Sequence, residues 1–325
     1  MTHSRVICLG EILYDCLAVQ PGDSVAAVQD WRYEPGGAPA NVACALARLG
    51  TPAAFIGAMG RDRLGADLLS LCQQRGVDCS GIQYHATAPT RQVYVLRSPS
   101  GEPTFAGFGG RAPGEFADAQ LAAAQLPQQL FLQADYLVLG TLLLAYPQSR
   151  AAVHHALELA ENYRLKVVLD VNWRPVFWPD PSLAPGLIQS LWESVDFLKL
   201  SVAEAQWLFG TTDPGAIAAQ LDHLEGVLVT AGGDAPVRYC LSDNEGCVPP
   251  FPVAVQDTTG AGDAFLAGFV HQLNQHQLAD FLDPDCARTA VTYATAVGSL
   301  TTTQLGAIAA QPTAEAAIAL LASQS

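Results

Sequence analysis

Apolar residues fall into short unbroken runs, separated by stretches in which they recur every three to four positions. Arg5-Val6-Ile7-Cys8-Leu9 is one such run, closed by Gly10-Glu11. A short continuous run of this kind predicts a strand buried on both faces. Ile12 to Val19 and Trp31 to Glu34 also read as extended. Gly36-Gly37-Ala38-Pro39-Ala40-Asn41 then opens an alanine-rich helix, Val42 to Leu49, stopped by Gly50. Ala53 to Ala58 predicts the next strand, and Gly65 to Arg75 a helix ending at Gly76.

Between Ala88 and Phe108 the pattern changes. Gln92 to Arg97 and Glu102 to Phe105 predict a hairpin about Ser98-Pro99-Ser100-Gly101. Together with the extended pieces near 12–34, the segment 88–110 would form a small sheet apart from the main one, a lid. From Leu121 onward strands and helices alternate. Tyr136 to Gly140, Lys166 to Asp170, Phe197 to Leu200 and Val227 to Thr230 read as strands; Ser149 to Tyr163, Ala203 to Leu208 and Ala216 to Leu221 read as helices. Pro249 to Val255 reads as extended, and the chain from Asp263 is nearly all helical. Such alternation predicts an α/β fold with a mostly parallel sheet covered on both faces.

Composition narrows the partners. The chain has 325 residues, half of them hydrophobic, enough for one large α/β domain or two smaller ones. With 31 acidic against 16 basic residues, the formal net charge is −15. That balance argues against nucleic acid or an anionic membrane as partner, although loops and Mg²⁺ can reverse the sign locally around ATP. No apolar segment approaches the ~20 residues that span a bilayer. No signal-peptide pattern follows Met1-Thr2-His3-Ser4. The eight cysteines include no Cys-x-x-Cys pair and read as buried free thiols. A soluble, cytoplasmic protein is expected.

The candidate chemistry centres on Asp257-Thr258-Thr259-Gly260-Ala261-Gly262-Asp263-Ala264-Phe265, a glycine-bracketed loop before a helix whose apolar face is Phe265, Leu266, Phe269, Val270 and Leu273. Gly-Ala-Gly alone would be a tight turn with Asp263 as a cap. The exposed amides and dipole of a helix start also favour an anion, with Asp263 poised as a base beside it. Ligands of open α/β sheets sit at the C-terminal ends of the strands. Five polar clusters fall at that edge: Gly10 to Asp15, Gly36 to Asn41, Asp170 to Arg174, Lys199 to Glu204 and Thr230 to Gly233. There is no Walker glycine-lysine loop, and no Gly-x-Gly-x-x-Gly follows the first strand, which makes a nicotinamide dehydrogenase a poor fit.

The Asp257–Phe265 stretch resembles the C-terminal signature of the ribokinase-like (PfkB) sugar kinases. Gly36 to Ala43 resembles the family's N-terminal glycine-rich signature, in the version closest to fructokinases. The resemblance covers nearly the whole chain and implies one domain over 1–325, a three-layer α/β/α ribokinase-like fold with a β-sheet lid. It implies ATP-dependent phosphorylation of a sugar primary hydroxyl, pointing first to D-fructose and fructose 6-phosphate. Asp263 would be the base, and Gly260, Ala261 and Gly262 the anion hole. Asp15, Gly36, Gly37 and Asn41 would hold the sugar. Asn172, Lys199, Thr230, Gly232, Thr259, Gly260 and Gly262 would face the nucleotide, with adenine between the Thr230–Gly233 loop and the helix around Tyr293 to Val297. Glu204 would place Mg²⁺ through water, and a monovalent cation such as K⁺ beside the Asp257 loop is common in the family.

Arg91 reads from the residues alone as a solvated hairpin residue. The resemblance instead puts it at the lid base facing the sugar. Phe105 and Phe108 would close an apolar lid over the ring or make contacts in a lid-mediated homodimer. Ser201 stands where many members have Asn. Gly140-Thr141-Leu142-Leu143 lacks the carboxylate used on ribose, and Gly232 to Pro236 replaces a glycine–charged–glycine turn. The alternatives are a 2-keto-3-deoxygluconate kinase, which would want a second cationic or phenolic group (Arg97 or Tyr94), a nucleoside kinase, and a non-catalytic sugar-binding regulator.

Overall fold

A computed structural model describes residues 5–98, 103–233 and 235–323. Pro99 to Gly101 of the predicted hairpin turn and Glu102 of its second strand, together with Asp234 of the glycine loop, lie outside the described residues. The strands are β1 Val6–Leu9, β2 Leu13–Ala18, β3 Trp31–Gly36, β4 Ala53–Gly60, β5 Asp78–His85, β6 Arg91–Arg97, β7 Pro103–Gly107, β8 Tyr136–Leu139, β9 Lys166–Asp170, β10 Phe197–Ser201, β11 Gly226–Thr230, β12 Val237–Leu241 and β13 Asn244–Val248. Nine of them form one sheet in the order β13-β12-β11-β10-β9-β8-β1-β4-β5. All neighbours in it are parallel except β11–β12 and β12–β13.

The side chains of β1 show why this strand is an unbroken apolar run. Val6 and Cys8 enter one hydrophobic core with Leu46, Phe269 and Val297, while Ile7 and Leu9 enter another with Val153, Leu157 and Ile188. Successive strand residues point to opposite faces, so a strand covered on both sides has no polar position to spare. Helices Ala38–Leu49, Ala261–Gln275 and Pro284–Thr301 contribute to the first core, and Pro147–Tyr163 and Ala184–Gln189 to the second. The α/β/α layering follows.

From β1 the chain builds β4 and β5 on one side, then returns to build β8 to β11 on the other. The strand order therefore reverses between β1 and β8, and crossovers leaving in opposite directions open a crevice beyond their C-terminal ends. Gly10-Glu11 and Gly140-Thr141 lie there. The small sheet has the order β3-β2-β6-β7, with β2 and β6 parallel from the Leu13–Arg91 pair onward. Its inner face is anchored by Trp31 packed edge-on against Tyr94 at 4.9 Å.

Three elements depart from the sequence reading. β5 is an additional edge strand. β12 and β13 form an additional hairpin, turning at Ser242 and Asp243 with φ of 45° and 67°. Pro249 to Val255 is not a strand. Prolines at 249, 250 and 252 remove the amide donors a ladder needs, so the signature loop is reached by irregular chain.

Candidate active site

The crevice is a cavity of about 930 Å³. Asp15, Gly37, Asn41, Asn172, Lys199, Glu204, Thr230, Gly232, Thr259, Gly260, Gly262 and Asp263 all line it. These residues come from six separate stretches of chain, which only the strand order brings together. Gly36, Ala261, Arg91 and Phe105 are not on this wall.

Gly260 caps helix Ala261–Gln275 with φ 76°, and a Cβ there would lie 2.6 Å from the Ala307 Cβ. Both facts require glycine. Asp263 sits in the first helical turn, where amides lack carbonyl partners four residues earlier. The Ala261 N–H is used by the Thr258 carbonyl at 3.2 Å, whereas those of Gly260, Gly262 and Asp263 have no hydrogen-bond partner among the described residues. The free donors of this loop are therefore the Gly260, Gly262 and Asp263 amides, while the Ala261 amide is engaged by Thr258.

Asp263 Oδ2 accepts from Asn41 Nδ2 at 2.7 Å. Burial raises its carboxyl to about 6; Asp170 pushes the same way, and Asn41, Lys199 and Arg174 oppose. Lys199 Nζ donates to Asp170 Oδ2 at 2.7 Å, both side chains being buried. Burial pushes the Asp170 carboxyl up against the pull of that ammonium. A Cβ on Gly262 would stand 3.3 Å from Lys199 Nζ, which places a fixed cation beside the helix start. Asp170 Oδ1 and Asn41 Oδ1 are buried without a partner among the described residues.

Glu204 is held on both oxygens. The Trp173 N–H donates to Oε1 at 2.7 Å, and the Ser201 N–H and hydroxyl donate to Oε2 at 2.7 and 2.8 Å. Ser201 and Glu204 form a reciprocal cap of helix Val202–Phe209. The Trp173 ring stacks on Trp207 at 4.1 Å, fixing the loop in which Asn172 takes φ 37°.

At the other end, burial and the nearby Glu34 raise the Asp15 carboxyl to about 6. Gly36 lies beneath it: a Cβ there would meet Asp15 Oδ2 at 2.9 Å. Gly37 has φ 104°, and its Cβ would fall 2.5 Å from the Glu11 carbonyl oxygen. Gly37→Ala is expected to cost about 1–3 kcal/mol by overpacking, and to raise the KM for sugar. Urea melts and initial rates check both, and an unchanged pair would remove the steric argument.

Arg91 stands behind the wall. Its Nε and Nη2 donate to Asp118 at 2.6 and 2.8 Å, Nη2 also reaches the Pro113 carbonyl, and the side chain is 0% exposed. Phe108, Phe116, Tyr146 and Phe177 surround the guanidinium at 4.8–5.5 Å. It is buried rather than a solvated hairpin residue, and Asp118 holds it behind the cavity wall rather than on it. Phe105 is partly exposed and packs edge-on against Phe108 at 5.3 Å. Tyr293 and Val297 are buried in the core rather than on the cavity wall, because Gly268 lets that helix press closely on Ala261–Gln275. The sequence reading assigned no role to Glu11, Leu13, Thr141 or Phe177, all of which line the cavity.

The model of the pfkB family of carbohydrate kinases matches residues 3–314. The chain belongs to this family. Among curated relatives, a probable fructokinase-2 of Arabidopsis thaliana is 34% identical over 311 residues, covering 95% of this chain and 93% of the relative. Fructokinase-1 of Oryza sativa subsp. japonica is also 34% identical, over 95% of this chain and 94% of its own. Among solved structures, a fructokinase with bound ATP from Xylella fastidiosa superposes with a TM-score of 0.89, at 29% identity and 99% coverage of both chains. A Vibrio cholerae fructokinase holding fructose, ADP and calcium gives 0.83 at 30% identity, over 98% of this chain and 99% of that one. This pfkB carbohydrate kinase therefore carries the ribokinase-like α/β fold, with a small second sheet apart from the main one. Among its described residues no helix is long and apolar enough to cross a membrane.

Proposed function

We propose that this carbohydrate kinase transfers the γ-phosphoryl group of ATP to the primary hydroxyl of D-fructose, giving fructose 6-phosphate. The observation that carries the reading is Asp263. It is a desolvated carboxylate in the first turn of a helix, between a hydroxyl-binding end (Asp15, Asn41) and a cationic end (Lys199, Arg174) of one cavity. Asp263 takes the proton of the attacking hydroxyl, and the Gly260, Gly262 and Asp263 amides meet the charge on the transferring group. Lys199 adds a cation fixed by Asp170. Asn172, Thr230, Gly232 and Thr259 line the nucleotide end.

Asp170 and Glu204 suit Mg²⁺. One Asp170 oxygen is buried without a partner, while both Glu204 oxygens already accept bonds and so favour contact through water. When bound, the ion neutralises the β- and γ-phosphoryl oxygens. K⁺ is assigned beside the Asp257 loop, where backbone and Thr259 hydrogen bonds hold the Asp257 carboxyl below its usual range. Tyr33 and Phe105 leave apolar surface exposed on the lid, which supports a homodimer through that sheet. All eight cysteines are free, which suits the cytoplasm. The deoxygluconate alternative loses support because Tyr94 and Arg97 lie off the wall.

ADP release is measured with Mg-ATP and fructose, ribose, 2-keto-3-deoxygluconate, glucose and adenosine. Fructose is expected to give the highest kcat/KM. A preference for another sugar overturns the substrate, and sugar binding without any turnover leaves the regulator reading standing.

A further inference from the structure

Glu11 is a buried carboxylate on the cavity wall for which the scheme above has no use. It follows β1 at the point where the strand order reverses, and only 4% of the residue is exposed. Oε1 accepts from the Ala38 N–H at 3.0 Å, at the start of helix Ala38–Leu49. Its other oxygen has no hydrogen-bond partner in any other described residue, on a residue that lines the cavity. The same helix carries Asn41, whose amide holds Asp263. Glu11 is thus fixed at one oxygen, open at the other, and one short helical turn from the base.

We propose that Glu11 is a specificity-determining residue that binds a hydroxyl of the sugar through the oxygen Ala38 leaves free. The inference rests on the sugar-kinase reading of this cavity. Three features support it. A buried carboxylate with a spare oxygen needs a partner, since an unpaired polar atom in a closed site is costly. Gly37 brings the sugar loop onto the Glu11 backbone, so a ring seated on Gly37 and Asn41 comes within reach of this side chain. Burial, reinforced by Asp118 and Asp263, raises the Glu11 carboxyl to about 7 against hydrogen bonds from its own and the Ala38 N–H. Near neutrality it both donates and accepts, as a hydroxyl partner requires.

The test compares Glu11→Ala and Glu11→Gln with the unsubstituted chain, using fructose and a set of monodeoxyfructoses. Glu11→Ala is expected to raise the KM for fructose about ten- to hundredfold, the loss of one hydrogen bond to a charged or acidic group. The KM for ATP should stay within about twofold. Glu11→Gln keeps an acceptor for Ala38 and offers a donor to the sugar, so it should recover most of the loss. One monodeoxy analogue should give the same KM with the unsubstituted chain and with Glu11→Ala, which identifies the hydroxyl. A KM for fructose unchanged in Glu11→Ala overturns the proposal. An equal penalty on every analogue also overturns it, since that marks a collapsed loop. If the unsubstituted chain rejects fructose, the fructose reading alone falls. The KM comparison then runs on the panel sugar turned over fastest, and the same criterion decides Glu11. A chain that turns over no sugar overturns both.

Discussion

Asp263→Asn is expected to lower kcat about 10²–10⁴-fold or more, because an amide cannot take the proton of the attacking hydroxyl. The substitution is otherwise mild. The Asn41 amide still finds an oxygen to donate to, and the helix start keeps its shape. In the unsubstituted enzyme the base must be ionised, so with a carboxyl raised to about 6, kcat/KM should fall roughly tenfold per pH unit below that value. The same shift acts on stability with the opposite sense from an ordinary salt-bridged aspartate. The folded chain binds this proton more tightly than the unfolded chain, whose carboxyl titrates near 3.8. Its contribution is therefore fully present below 3.8 and is lost as pH rises through about 6, a cost of order 2–3 kcal/mol at neutral pH. Asp263→Asn removes that cost. At pH 8 the inactive variant should melt at a higher temperature than the active enzyme, with the gap closing towards pH 4. A variant with near-normal turnover would end the role of Asp263 as base, and a lower melting point at pH 8 would contradict the desolvation.

Asp118→Ala should cost about 3–5 kcal/mol of folding stability, the loss seen when one member of a buried ion pair is removed. The Arg91 guanidinium would keep its bond to the Pro113 carbonyl but remain charged and enclosed by aromatic rings. Replacing both partners by apolar residues, Arg91→Met with Asp118→Leu, should restore most of the loss, because the pair's attraction little exceeds its desolvation. Urea denaturation of the two single variants and the double variant measures this coupling. Arg91 opens β6 of the small sheet, and its neighbour Phe177 forms part of the cavity wall. Asp118→Ala is thus also expected to raise the KM for sugar. A loss below about 1 kcal/mol would mean that water reaches the guanidinium, contrary to its burial.

The main sheet is legible in the sequence because strands covered on both faces are nearly continuous apolar runs, Lys199 in β10 being a buried exception paired with Asp170. β5 is not legible for the converse reason. It lies at the sheet edge, and its buried positions are Gly81 and Gln83, neither of which marks a strand by hydrophobicity. The β12–β13 turn uses Ser242 and Asp243 at positive φ without glycine, so its hairpin carries no strong local signal. In the site, the two glycine loops are readable because close approach and positive φ leave glycine alone at Gly37 and Gly260. The burial of Arg91 is not legible from the residues alone, because an arginine in a hairpin is usually solvated. Its captor lies 27 residues further on, in an alanine-rich segment with no pattern of its own. Glu11 escapes for a similar reason: one carboxylate after a strand looks like a turn residue, until the fold sets the Ala38 amide against it.

The segment from Ala307 to Gln311 also fixes when the protein can begin to work. Ala307 backs Gly260, Gln311 donates to the Asn41 carbonyl at 2.8 Å, and Arg48 donates to the Gln311 carbonyl. This late stretch clasps the two glycine loops, one of which was made some 270 residues earlier. A growing chain can lay down the parallel sheet as it emerges, but Asn41 and Asp263 remain unclasped until Gln311 leaves the ribosome. Catalytic competence should therefore wait on Gln311, which follows every strand of the sheet in the chain.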